Sequence, residues 1–497
     1  MPSVFQAVLR SWSIPPAATF AIVLTALAYL RGWWLLRRAG SPDVPPWRAA
    51  TFLLGLLTLW VALASPMDVF NGFILTAHML QHMLLMMVAP PLILLGAPLV
   101  PTVRGLPKFA AREFAGPFLN WSAARRVGNA LTHPISALLL MGVAMFAWHT
   151  PALYELALRS SSWHQVEHAW FFLTSIIFWW PVVQPWPSSA RWPRWAMVPY
   201  LLIADIQNTV LSAILVFSDR VLYPSYSGVP RLFGLSALED QVAAGSIMWV
   251  VGSLAFVVPA VIIAVQCLSR KSARHAPTAV RQRDKHLDEG LPAVSQTVAF
   301  APRLLRAQSA TKKLEAVSFL LLFVASGICF ARFVAAPSDD DDQILRFAGT
   351  SGPFAVAVFA PAGDLVSGPL TFSVLVQDRN DGEVLLDGTV ELRAHSAADP
   401  QPLSTSAQAS YHDSQNKLLQ SAELNLSTAG NWTVEVRVQR NSQAAEFSLP
   451  LQVVKGDAGG GVLWPYVVFL ALAALLLLTY IRRHRAPKTF RSLPRVA

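Results

Sequence analysis

Charge is what this sequence has least of. Only 14% of its 497 residues are Asp, Glu, Lys or Arg, against 54% hydrophobic ones. An ordinary soluble domain carries roughly 25% charged residues. So few charges cannot cover a globule of this size with polar surface. That excludes a soluble enzyme, a DNA-binding factor and a disordered chain as descriptions of the whole. Cysteine is nearly absent as well. The two present, Cys267 and Cys329, fall at the inner end of one apolar run and the outer half of another, too far apart to pair. There is no CxxC or CxxxC motif, which excludes a thioredoxin-like thiol site and a two-thiolate copper site within this chain. What is abundant is apolar sequence, with 17 Trp and 36 Pro, the residues of membrane interfaces and helix ends.

Runs of about 20 apolar residues span a bilayer as helices. Nine are read here: Ala17–Leu36, Trp47–Ala64, Phe73–Leu95, Ile135–Leu153, His164–Val183, Met197–Phe217, Gln241–Val265, Leu314–Val334 and Val462–Ile481. No signal-peptide cleavage pattern stands out, so the first run is expected to stay as an anchor. The net charge of +10 would suggest nucleic acid or acidic lipid if it were clustered on one polar domain. It is not. With the N-terminus outside, 27 of the 39 Lys and Arg fall on the inner side, as the positive-inside rule requires. The expectation is a multi-pass membrane protein with the N-terminus outside and the C-terminus cytoplasmic, and with no nucleic-acid partner.

The domain reading follows: a seven-helix membrane part over 1–268, a basic cytoplasmic linker over 269–313, a helix over 314–334, an extracytoplasmic domain over 335–461, a helix over 462–481 and a basic tail over 482–497. The linker stretch Arg270–Gln308 is polar and Pro-containing and is expected to touch anionic lipid. The outer domain opens with the acidic tether Asp339–Asp342. Stretches such as Phe354–Phe359, Leu370–Val376, Thr389–Arg393 and Trp432–Val438 then alternate with period two between Gly, Asp and Asn turns. That pattern predicts an antiparallel β-sandwich, and its length suits seven strands. The fold class is thus an all-α polytopic helical bundle with a β-sandwich between its last two helices.

The chemistry sits in the histidines. His78-Met-Leu-Gln-His82 and His164-Gln-Val-Glu-His168 are both i,i+4 pairs. On a helix that spacing turns about 40° and rises about 6 Å, so each pair shares one face. Trp148-His149-Thr-Pro151 ends the run between them. Sidedness then brings His78, His82, His149, His164 and His168, from three consecutive helices, to the outer half of the membrane. His133 begins its run at the inner face, outside the group. Intramembrane polar groups are costly and mark function by default. Imidazole suits copper, zinc, iron and nickel, and thioether sulfur selects cuprous ion. Met79, Met83, Met86 and Met87 follow on the same helix as the first pair, as packing or as soft ligands from a flanking position. Asp68 and Glu167 are expected to orient imidazoles.

Other polar residues are less specific. Asp205, Gln207 and Asn208 lie in the sixth run, with Asp205 read as a proton or ion group or as a structural hydrogen-bonding one. Leu238-Glu-Asp-Gln241 reads as a helix cap. Met248 and Trp249 are placed to face the histidines. His395 and His412, in the outer domain, read as surface residues.

The long segment His78-Met-Leu-Gln-His-Met-Leu-Leu-Met-Met-Val-Ala-Pro-Pro-Leu-Ile-Leu-Leu-Gly-Ala-Pro98 resembles the signature of CtaG, the multi-span cytochrome c oxidase assembly factor family of Gram-positive type. Supporting segments are Trp148-His-Thr-Pro151, Trp163-His-Gln-Val-Glu-His168, Phe178-Trp-Trp-Pro181, Leu222-Tyr-Pro-Ser-Tyr226 and Asp240-Gln-Val-Ala-Ala-Gly245, and the resemblance covers about residues 15–268. It implies a respiratory-chain assembly factor of the bacterial plasma membrane, not an enzyme, with a haem-copper oxidase subunit as partner and copper as its cargo; the methionines beside the histidines make Cu(I) the favoured form. The family's histidine motifs fall on His78, His82, His149, His164 and His168. An extracytoplasmic copper chaperone is a further expected partner, making the protein a metallochaperone. The added outer domain is similar to FixH-like or YtkA-like domains through Pro361-Ala-Gly-Asp364, Gly382, Gly388 and Ala429-Gly-Asn-Trp432, and carries no clear His/Met copper set. Two other classes stay open on the residues: a haem-binding redox protein with axial histidines, and a copper or proton transporter with Asp205 on its path.

Overall fold

The computed structural model describes residues 3–274 and 343–455, apart from 116, 118–120, 189 and 397–403. Among these residues, six helices are long and apolar enough to cross a membrane, and a bent pair makes a seventh span if counted as one. They are α1 (Pro16–Arg38), α2 (Pro46–Val69), α3 (Leu75–Leu95), α4 (Pro134–Trp148, the second half of the bent pair), α6 (Ser161–Val183), α7 (Arg194–Phe217) and α8 (Ala237–Ser269), with the short α5 (Pro151–Leu158) between α4 and α6. The first seven spans expected from sequence each coincide with one of these helices or with the bent pair. The eighth and ninth, the basic linker beyond residue 274, Cys329 and the C-terminal tail lie outside the described residues.

The fourth span is not the single run Ile135–Leu153. Pro134 and Pro151 each sit at the first helical position, and the residues before them, His133 and Thr150, take extended backbone angles. A proline drives its predecessor out of the helical region. α4 therefore starts after a 69° bend from Arg125–Leu131 and stops at Trp148. A π-helical turn at Leu84–Val88 interrupts α3. α3 is also the most enclosed span: 67% of its apolar window is buried, against 17% for α1. Its buried face meets α6 and α8, so the His78 helix is the axis of the bundle.

Among the described residues the β-domain has nine strands rather than seven: β1 (Gln343–Ser351), β2 (Phe354–Pro361), β3 (Leu365–Val366), β4 (Gly368–Asp378), β5 (Thr389–Ser396), β6 (Ser404–Gln408), β7 (Gln420–Leu426), β8 (Gly430–Arg440) and β9 (Gln443–Val454). They form a four-stranded sheet, β1-β2-β4-β7, and a five-stranded sheet, β3-β9-β8-β5-β6. The two short strands β3 and β6 lie at sheet edges, which the alternation pattern does not announce. Phe354, Val356, Val358, Phe372 and Val374 from one sheet share a core with Val390, Leu392, Trp432, Val434 and Val436 from the other.

The four-stranded sheet is buried on both faces. On its second face Ala357, Phe359, Leu375 and Val384 pack with Ala7, Phe70 and Leu232 of the membrane part. The Phe359 and Phe73 rings are 5.2 Å apart. Gln377 Nε2 donates to the Arg231 carbonyl at 2.9 Å, and the Lys417 N–H to Ser11 Oγ at 3.0 Å. Two-sided burial explains why β2 reads Phe-Ala-Val-Ala-Val-Phe with no polar alternation, whereas β8, solvated on one face, reads Trp-Thr-Val-Glu-Val-Arg-Val. The sandwich thus docks where α3 begins.

Candidate metal centre

α3 and α6 present their histidine pairs to each other. The rings of His78 and His82 lie 4.3 Å apart, those of His164 and His168 4.0 Å apart, and across the helices His78–His164 and His82–His168 are separated by 5.1 and 5.4 Å. One nitrogen from each of the four rings lies within 4.8 Å of all the others. His78 Nε2, His164 Nε2, His168 Nε2 and both nitrogens of His82 are buried with no hydrogen-bond partner. An unsatisfied buried polar atom costs about 1–3 kcal/mol, and one nitrogen of each neutral ring carries a lone pair, so four lone pairs at one point call for something that accepts them. A borderline transition-metal ion fits that donor set.

Glu167 belongs to the same point. Its side chain is fully buried, with Oε2 3.7 Å from His78 Nε2 and Oε1 3.9 Å from His82 Nε2. Neither oxygen has a hydrogen-bond partner. These separations exceed a hydrogen bond, so Glu167 does not fix a tautomer as expected from sequence. It instead places a carboxyl group beside the space between the rings, where it can balance the charge of a bound ion. Asp68 has a different task too: its Oδ1 accepts from Gln81 Nε2 at 2.7 Å, and that amide also donates to the Ala62 carbonyl at 2.9 Å.

What orients His78 is a chain of tyrosines. His78 Nδ1 is 2.8 Å from the Tyr154 hydroxyl, which is 3.1 Å from the Tyr226 hydroxyl, which donates to the Asn71 carbonyl at 2.6 Å. The carbonyl can only accept, so the chain has one fully satisfied direction: His78 Nδ1–H to Tyr154, Tyr154 to Tyr226, Tyr226 to Asn71. That tautomer leaves the Nε2 lone pair facing the cluster. Burial holds the Tyr226 hydroxyl well above its ordinary pKa, so it stays a neutral donor. Tyr223 stacks on Tyr154 at 4.0 Å and donates to the His149 carbonyl at 3.1 Å. The segment Leu222–Tyr226 is pinned in turn by Glu155, which accepts from the Ser225 N–H at 3.0 Å, and by Gln241, which accepts from the Leu222 N–H at 2.7 Å. Sequence reasoning quoted this segment without giving its tyrosines a role. The signal was available, since two tyrosines in a short loop between apolar spans need partners if buried.

Asp240 caps a helix, but not its own. Its carboxylate accepts from the Leu75 and Thr76 N–H groups, at 2.7 and 3.1 Å, at the start of α3. An acid there satisfies orphan donors and complements the helix dipole. The start of α8 is capped by Ser236 and Glu239, which exchange backbone-to-side-chain bonds at 2.8 and 3.2 Å.

His149 stands beside the four rather than among them. Its Nδ1–H donates to the Met145 carbonyl at 2.7 Å, which holds the ring back over the preceding turn. Met248 is buried on the inner side of α8 as expected, while Trp249 packs against Phe217 at 6.1 Å. Asp205 is not part of the cluster; its Oδ1 is buried without a partner. His133 lies against Trp192, at 5.8 Å. His395 sits 3.9 Å from Glu435 on the sandwich surface, and His412 is exposed there.

Residues 27–270 match the family model of the cytochrome c oxidase caa3 assembly factor, Caa3_CtaG. Similar curated proteins are uncharacterized proteins of Mycobacterium bovis and Mycobacterium tuberculosis, each 26% identical over 300 residues that make up 58% of this chain and 43% of theirs. Another, from Mycobacterium leprae, is 27% identical over 54% of this chain and 40% of its own length. The chain thus spans about two fifths of the curated relatives it matches. No solved structure matches. The family match stops short of the sandwich, so the likeness of that domain to FixH-like or YtkA-like domains rests on its sequence pattern alone. The histidine helices all fall inside the match, and over residues 27–270 this chain is similar to the cytochrome c oxidase caa3 assembly factor family.

Proposed function

We propose that this protein is a metallochaperone of the plasma membrane. It captures cuprous ion on His78, His82, His164 and His168 at the end of the bundle that carries the sandwich, taken as the outer side, and passes it to a haem-copper oxidase subunit. The family match over residues 27–270 supports the assembly role. The observation that carries the metal is the meeting of four imidazole nitrogens within 4.8 Å, each buried without a partner. Transfer is ligand exchange and needs no nucleophile or acid–base step. The sandwich would receive the donor chaperone or the oxidase subunit. The packed rings favour an ion over haem, because they leave no slot for a porphyrin between α3 and α6.

The test pairs two measurements on wild type and a His78→Ala/His82→Ala variant: copper content of the purified full-length protein, and oxidase activity of cells that depend on it. Wild type should retain copper, and the variant should lose most of the copper and of the oxidase activity. A copper-free wild type, or a variant with full oxidase activity, overturns the reading.

A further inference from the structure

Towards the middle of the bundle, next to the four-histidine centre, a small hollow of about 10 Å³ is lined by Met79, Met83, Met86 and Met87 of α3, Met145 of α4 and Met248 of α8. These are six of the chain's ten methionines, drawn to one point from three helices. The volume is that of about one water-sized sphere, enough for an ion and too small for a molecule. Three of the residues that line it, His82, His149 and Asn208, carry buried polar atoms that apolar packing does not satisfy. His149 Nε2, on a side chain only 8% exposed, has no partner. Its other nitrogen is committed as a donor to the Met145 carbonyl, so Nε2 carries a free lone pair. His82, 3% exposed, has no partner on either nitrogen, and Asn208 Oδ1 has none either. Met141 serves as a contrast: it lies outside the hollow, and its sulfur receives the Ser175 hydroxyl at 3.6 Å, an ordinary structural role. The π-helical turn Leu84–Val88 contains Met86 and Met87, and such turns inside helices recur at functional sites.

We propose that this hollow is a second, soft-metal site that selects cuprous ion, held by thioether sulfurs together with His149. Its identity as part of a copper path rests on the function proposed above; the site itself does not. Every donor on it is neutral, and no carboxylate lines it. Thioether and imidazole ligands favour a soft monovalent ion, while a divalent ion would keep a charge that nothing nearby balances. The four-histidine centre, with Glu167 beside it, has no such preference. His82 borders both sites and is the one side chain able to stay bound while an ion moves between them by ligand exchange.

The experiment uses the full chain in detergent under anaerobic conditions, titrated with Cu(I) against bicinchoninate, with Ag(I) as a redox-inert probe and Zn(II) as a borderline divalent comparison. X-ray absorption identifies the donor atoms. Two equivalents of Cu(I) are expected, one with sulfur neighbours, against a single equivalent of Zn(II). Met83→Leu/Met86→Leu/Met87→Leu should abolish the sulfur signal and one equivalent of Cu(I) and of Ag(I), and Met145→Leu/Met248→Leu, on other helices, should do the same. Leu keeps the volume, so folding should hold, and the wild-type spectrum is decisive in any case. A single Cu(I) equivalent with nitrogen neighbours only overturns this site and leaves the four-histidine reading intact. A sulfur-bound equivalent that survives His164→Ala/His168→Ala, with no second equivalent in wild type, supports this site and overturns the four-histidine one. Binding of neither Cu(I) nor Ag(I) overturns both.

Discussion

Two residues of the centre act in opposite directions on stability and affinity. Glu167 is a buried carboxylate with no hydrogen-bond partner. Without an ion between the rings, it is a cost to the fold; with one, it balances charge. Glu167→Gln keeps the shape and removes the charge. It should raise the stability of the metal-free protein by about 1–3 kcal/mol and weaken metal binding. Thermal denaturation with and without copper would show a higher midpoint without metal and a smaller rise on adding it. Tyr154 orders rather than binds. Tyr154→Phe keeps the ring stacked on Tyr223 but removes the hydroxyl between His78 and Tyr226. Loss of a group that orients a ligating histidine typically costs about 10–100-fold in metal affinity. Competition titration should find that loss with the melting temperature nearly unchanged. Both side chains were visible in the sequence, but their roles were not. Glu167 lies one residue from His168, yet only the rotation of α6 about its axis decides whether it faces the rings or lipid.

The helices approach each other most closely where glycine removes the side chain. A Cβ at Gly105 would come within 1.6 Å of the Ala28 carbonyl oxygen, and one at Gly32 within 1.8 Å of that of Pro101. Small residues at such crossings let backbones meet in the membrane, where no hydrophobic force drives helices together. Gly105→Ala should therefore forfeit most of the folded yield, while Gly72→Ala, with nothing within 4 Å of its Cβ, should be tolerated. Size-exclusion profiles of the two purified variants would check this. The number and approximate limits of the first seven spans were legible from apolar runs and prolines, because hydropathy is a property of each segment alone. The break of the fourth span at His149–Thr150 was legible too, since Pro151 follows, but its apolar composition masked it. The cap that Asp240 gives to α3 joins residues 164 and 165 positions apart, and no local pattern reports it.

Across the whole molecule, the sandwich sits over the start of α3, the helix that carries His78 and His82. Phe359, only 4% exposed, is central to that contact. Phe359→Asp leaves the sandwich core residues Phe354, Val356 and Val358 in place but puts a charge in the docking face. Losing one buried aromatic there should cost about 1.5–3 kcal/mol, so limited proteolysis should release the sandwich faster than from wild type. The sequence by itself determined that the chain is a membrane bundle with a β-domain, and that each histidine pair shares a helix face. These follow from periods of 3.6 and 2, which adjacent residues carry among themselves. Only the tertiary structure decided that the two pairs face each other and that His149 turns instead to the methionine hollow. It also decided that Tyr154 of α5, backed by Tyr226 from the loop before α8, sets the tautomer of His78 and that one sheet is buried on both sides. Each of those depends on the rotation of one element against another. In an apolar bundle a leucine facing lipid and a leucine facing protein look alike in sequence, so that rotation leaves little trace there.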